Sequence, residues 1–110
     1  MDSLKELSNE IDKFAEDRDW NKFHSPANLA KSISIEASEL LECFQWSDDN
    51  FSVNEVKEEL ADVLNYAIRM ASVMGLDIRS IVLEKIEKNA NKYPIHKSKG
   101  KSDKYTKLRG

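Results

Sequence analysis

The sequence predicts an all-α bundle of about four helices whose core is completed by oligomerisation. Three observations point there. Apolar residues recur at spacings of three and four through most of the chain, and no segment alternates in the manner of a β-strand. Helix start and stop signals punctuate that pattern at regular places. Finally, 110 residues, 40% of them apolar, make one domain too small to bury several wide apolar stripes by itself, so a second copy of the chain is expected to cover the remainder.

The elements follow in order. Leu4, Leu7, Ile11 and Phe14 mark a first amphipathic helix over about residues 2–18. The segment DWNKFHSP interrupts it. Ser25 followed by Pro26 supplies an N-cap and a first-turn proline for a second helix reaching about Trp46. SDDN is a loop. Ser52 and Glu55 form an S-x-x-E capping box that opens a third helix, ending near Met74 at Gly75. Asp77 is placed to cap a fourth helix, which reaches about Asn91 and stops before Pro94. Residues 1–94 are therefore expected to form the folded domain and residues 95–110 a flexible tail.

Charge separates the same two parts. Residues 1–94 carry 19 acids and 11 bases; residues 95–110 carry six bases and one acid. A nucleic-acid-binding domain places its basic patch on the folded part; here that part is acidic, so no stable nucleic-acid partner is expected. The tail reads as a solvated charged end. The single cysteine, Cys43, excludes a disulfide within the chain and reads as a small packing residue. No signal-peptide pattern is present, and no apolar run approaches the ~20 residues that span a bilayer. No membrane association and a cytoplasmic setting are the expectations.

Two acidic pairs stand in unexpected places. On a helical wheel with Ile33 at zero, Ala37, Leu40, Leu41 and Phe44 form a core stripe. Glu36 falls at about 300° and Glu39 at about 240° on that wheel. Leu29 and Cys43 lie around them. With Leu60 at zero on the third helix, Val53, Val56, Leu64, Ala67 and Ala71 form the stripe. Glu59 falls at about 260° and Asp62 at about 200°, with Tyr66 between them. One such pair is common on solvated helices. Two pairs on apolar-flanked sectors of helices joined by a short loop would converge if the helices pack antiparallel. Four carboxylates at close range repel. Either some keep a proton at raised pKa or a cation neutralises them. Oxygen donors without cysteine or histidine favour Mg²⁺, Mn²⁺ or Ca²⁺ over zinc, and Mg²⁺ commonly shares its shell with substrate phosphates.

The spacing E-x-x-E, 19 residues, E-x-x-D resembles the MazG-like all-α nucleoside triphosphate pyrophosphohydrolases. The segments EDRDWNKFHSPANL, EASELLECFQW, EELADVLNY, KIEKNANKYP and KYTKL are similar to the dCTP pyrophosphatase branch over nearly the whole chain. The resemblance implies Mg²⁺-dependent (or Mn²⁺-dependent) cleavage of a nucleoside triphosphate between its α- and β-phosphates, dCTP or a modified dCTP, as nucleotide-pool house-cleaning. It implies a homotetramer built as a dimer of dimers. It gives Glu36, Glu39, Glu59 and Asp62 the catalytic and metal-ligand positions. Trp20 and Trp46 would enclose the base, with Phe23 and His24 beside it. Tyr66, Lys85, Asn89 and Tyr93 would contact substrate. In one place the chain departs from the pattern: Ile11 stands where vertebrate members carry a histidine of the base pocket. A relative with another preference, for dUTP or for many nucleotides, is the alternative within the class. A non-catalytic helical interaction module is the alternative outside it.

Overall fold

The computed structural model describes residues 3–100, and no strand occurs among them. Helices α1 (Ser3–Asp17), α2 (Pro26–Glu42), α3 (Val53–Val73) and α4 (Ile78–Lys92) fall where the periodicity predicts, and a single-turn α5 (Ile95–Ser98) follows Pro94. That turn occupies the start of the expected tail; residues 101–110 lie outside the described part. The chain divides into two compact units after Ile78.

The caps account for the helix bounds. The Ser25 hydroxyl accepts the Asn28 N–H at 3.1 Å, and the Ser52 hydroxyl accepts the Glu55 N–H at 3.3 Å. Each satisfies one of the four N–H groups a helix start leaves open. At the end of α3, Gly75 takes φ +70°, the Leu76 N–H reaches the Ala71 carbonyl, and the Gly75 N–H reaches that of Ser72. This is a Schellman ending, with glycine at the left-handed position. The end of α1 repeats it without a glycine. Asp19 takes φ 55°, the Trp20 N–H reaches the Ala15 carbonyl, and the Asp19 N–H reaches that of Glu16. Aspartate tolerates this region better than most residues. The turn folds Trp20 back against α1, edge-on to Phe14 with ring centroids 5.6 Å apart.

The expected end of α2 at Trp46 is four residues too long. Cys43, Phe44 and Gln45 each donate to the carbonyl three residues back, so the helix tightens into 3-10 turns beyond Glu42. Phe44 then packs on Phe51 across the loop at 4.8 Å.

In the first unit α3 is central, with α2 and α1 both packed on it. Among the described residues the buried ones are Ala15, Leu29, Ile68 and Ala71, joined by one charged side chain, Arg69. The expected core stripes are largely not the core of the single chain. Leu41 and Val53 are 71% and 70% exposed, and Leu60 and Leu64 are also exposed. Ile33, Leu40, Phe44 and Val56 are half-buried. Packing of α2 on α3 uses only one edge of each apolar arc; the other edge is left exposed among the described residues.

Candidate active site

The two acidic pairs meet between α2 and α3. One carboxylate oxygen from each of Glu36, Glu59 and Asp62 lies within 4.8 Å of the others. Glu39, one turn along α2 from Glu36, is close enough to raise the proton affinity of both Glu36 and Glu59. Glu36 Oε2 and Glu59 Oε2 are buried and have no donor among the described residues. A buried, unpaired carboxylate oxygen is unfavourable, so the cluster requires protons or a cation.

The proton affinities follow from that crowding. The Glu36 carboxyl is pushed up to about 7 from an ordinary 4.5, first by hydrogen bonding with the Glu39 carboxyl beside it. Burial and repulsion from Glu39, Asp62 and Glu59 add to this. Glu59 is raised by burial first, then by Glu39 and Asp62. All donors are hard oxygens, and two of the three clustered residues carry an orphaned buried oxygen. The set fits a divalent cation such as Mg²⁺ or Mn²⁺ and does not suit a soft metal. Cys43 is not part of it: its thiol donates to the Glu39 carbonyl at 3.7 Å, and burial with the nearby acids holds it protonated.

A pH dependence of stability follows from Glu36. Between about pH 4.5 and 7 the folded chain holds a proton that the unfolded chain has released. Unfolding then releases that proton, and stability falls as pH rises across the window. Thermal unfolding of the metal-free chain should show this fall, with Glu36→Gln removing much of it. Added Mg²⁺ should offset it most at and above about pH 7, where it no longer competes with the proton.

Asp62 also borders a cleft of about 480 Å³. One wall is a row on α3, Asp62, Asn65, Tyr66 and Arg69, spaced i, i+3, i+4 and i+7. At 1.5 Å per residue the row is about 10 Å long. The facing wall is mostly apolar, Leu7, Ile11, Phe14 and Ala15 from α1, then Trp20, with Glu10 the one charged residue α1 adds to it. His24 closes the end beside Arg69. The cleft thus has a carboxylate end, an aromatic and aliphatic middle, and a polar end.

Arg69 builds that polar end. Its side chain is only 10% exposed and donates to Asp12 Oδ1 at 2.7 Å, to Asn21 Oδ1 at 2.6 Å and to His24 Nδ1 at 3.0 Å. Ser72 donates its hydroxyl to the other oxygen of Asp12. Burial, then the Arg69 charge, holds the His24 pKa below its ordinary 6.5.

Of the residues singled out from sequence, Trp20, His24, Asp62 and Tyr66 line the cleft, and Glu36 and Glu59 cluster with Asp62, with Glu39 acting on both glutamates from nearby. Phe23 sits in a 3-10 turn, 59% exposed, and Trp46 is 89% exposed beyond α2; neither lines the cleft. Lys85 and Asn89 are one turn apart on α4, and the Tyr93 N–H donates to the Asn89 carbonyl at 2.8 Å. These three belong to the second unit. Sequence reasoning missed Asp12, Asn65 and Arg69. For two of them a signal was present. With Leu60 at zero, Asn65 falls at about 140° and Arg69 at about 180°, beside Asp62.

Comparison with known proteins places the chain in a family. The MazG-like family model matches residues 31–108. dCTP pyrophosphatase 1 of Bos taurus is 39% identical over 105 residues, covering 87% of this chain and 62% of that protein. The Homo sapiens protein of the same name gives the same identity and coverage. The chain therefore spans about 62% of the length of these curated relatives. The crystal structure of a pyrophosphatase from Archaeoglobus fulgidus superposes with a TM-score of 0.75 at 40% identity, covering 86% of this chain and 94% of that one. By sequence and by fold, the chain belongs to the MazG-like family.

Proposed function

We propose that the chain is a nucleoside triphosphate pyrophosphohydrolase that uses Mg²⁺ and cleaves dCTP or a modified dCTP to the monophosphate and pyrophosphate. The observation that carries this reading is the junction of two features at Asp62. Asp62 belongs both to a carboxylate cluster with two orphaned buried oxygens and to a cleft whose far wall carries Phe14 and Trp20 among aliphatic side chains. The names of the similar proteins supply the substrate class.

Glu36, Glu39, Glu59 and Asp62 would hold the metal. When bound, divalent cations neutralise a triphosphate and make a water more acidic. The chain's own residues then divide the work. Glu39, beside Glu36 and Glu59, accepts the proton of the water that attacks the α-phosphorus. The α–β bridging P–O bond breaks and pyrophosphate leaves. Trp20 and Phe14 offer flat apolar surface to the base; stacking of this kind contributes about 1–3 kcal/mol per base in single-strand binders. Tyr66 stands midway along the cleft, at the level expected of the sugar. Lys85, Asn89 and Tyr93 take phosphate and sugar contacts on the strength of the KIEKNANKYP resemblance. Phe23 and Trp46 take their base-enclosing roles on the same ground.

The exposed stripe of Leu41, Val53, Leu60 and Leu64 supports the further reading that copies of the chain assemble, as a homotetramer in the family's manner. Burial of such area is the usual drive for association.

The test is product analysis. Each common dNTP and NTP, with base-modified dCTPs, is offered with Mg²⁺. The reading predicts monophosphate and pyrophosphate in equal amounts, fastest from a cytosine nucleotide. Release of orthophosphate, or no turnover of any nucleotide by the folded chain, would overturn it.

A further inference from the structure

Arg69 is buried, charged and fully engaged, yet it touches none of the four acids' oxygens; its partners come from α1, from the turn at Asn21 and from His24. The contact with His24 has one chemical reading. A guanidinium donates and cannot accept, so Nδ1 must present a lone pair. The ring proton of a neutral imidazole then resides on Nε2. The two ring nitrogens diverge, and His24 borders the cleft. With Nδ1 committed to Arg69, Nε2–H is the polar atom left for a ligand. Asp12 makes the arrangement stiff. It binds Arg69 through one oxygen and Ser72 through the other, and Asn21 takes the remaining guanidinium arm. The groups around His24 are thus Arg69 from α3, Asp12 from α1 and, along the same cleft, Glu10 and Asp62.

We propose that Arg69 is a positioning residue that fixes His24 as the Nε2–H tautomer, so that the polar end of the cleft is a permanent donor and selects a base offering an unprotonated carbonyl oxygen or ring nitrogen there. The nucleotide nature of the ligand rests on the function proposed above; the tautomer does not. A histidine without Arg69 interchanges tautomers and can present either a donor or an acceptor. With Arg69 it presents only the donor. A ligand group that itself donates at this point, such as an exocyclic amine, meets a hydrogen and is rejected.

Two measurements test it on the full chain. Long-range ¹H–¹⁵N correlation of the histidine rings, assigned with His24→Gln, reads the tautomer without nucleotide. The expected result is a protonated Nε2 and bare Nδ1. A protonated Nδ1, or averaging between tautomers, would overturn the proposal. Kinetics give the second reading. His24→Ala and Arg69→Met should each raise KM for the preferred nucleotide about tenfold, the loss of one hydrogen bond, with kcat little changed. The double variant should be no worse than either, because Arg69 acts through His24. His24→Gln can accept from Arg69 and donate from its amide, and should recover most of the loss. Additive effects on KM would overturn the proposal. If Arg69→Met does not fold, the wild-type tautomer and the His24→Gln recovery decide. A folded wild type that turns over no nucleotide refutes the proposed function, while the ring spectrum still decides the tautomer.

Discussion

Replacing Asp62 by Asn is expected to lower kcat/KM for the preferred triphosphate by on the order of 10³-fold, the scale seen when one preorganised electrostatic group is removed from a reacting centre. Asp62 belongs both to the acidic cluster and to the cleft wall, so no other single change strikes both. Its amide keeps the shape and removes the charge. Divalent-cation binding, followed by calorimetry, should weaken in parallel. The metal-free fold should respond in the opposite sense. Repulsion from Asp62 is one of the causes that raise Glu36 and Glu59, so the variant should unfold at an equal or higher temperature above about pH 7. That pairing of lost activity with undiminished stability separates a ligand from a structural acid. A buried residue needed for packing would lower both.

Asp12→Ala should show the converse pattern. Asp12 pairs with the buried Arg69 at 2.7 Å, with side chains 31% and 10% exposed. Removing one partner of such a pair leaves the other charge without compensation, which typically costs about 3–5 kcal/mol. Asp12 retains some contact with water, so about 3 kcal/mol is expected here. For a chain of this size that lowers the unfolding midpoint by on the order of 10 °C. Replacing both partners, as Asp12→Leu with Arg69→Met, should recover a large part of the loss, since a well-packed apolar pair can match a buried ion pair. Calorimetric or circular-dichroism melts of the two singles and the double close the cycle. If Asp12→Ala melts like the wild type, the network does not hold α1 and the turn against α3, and the polar end of the cleft is not preorganised.

These two residues also mark what local sequence could and could not disclose. Helix starts were legible because Ser25 with Pro26 and Ser52 act within one turn; the same holds for Gly75 at the end of α3. The acidic pairs were legible because a wheel needs only spacing, and the structure brings Glu36, Glu59 and Asp62 together as the wheel suggests. The Asp12–Arg69 link spans 57 positions and Ser72–Asp12 spans 60. Contacts at that range leave no periodic trace, and a lone arginine on a charged chain reads as surface. The apolar stripes were legible only as surface to be covered. Leu41, Val53, Leu60 and Leu64 are hydrophobic at helical spacing, which predicts burial but not by what. Within one chain α2 and α3 cover only part of that arc, and the remainder stays open. The end of α2 was overestimated because 3-10 turns preserve an apolar spacing of about three while closing the helix.

One claim is central: the carboxylates of α2 and α3 form a single divalent-cation site at the mouth of the cleft. Diffraction from crystals grown with Mn²⁺ and a non-hydrolysable dNTP, using the anomalous signal of the ion, tests it most directly. The prediction is an ion peak within about 2.5 Å of oxygens from Glu36, Glu59 and Asp62, with the base lying between Trp20 and the α3 row. Density showing those acids turned apart and hydrated, with manganese elsewhere or absent, would contradict it.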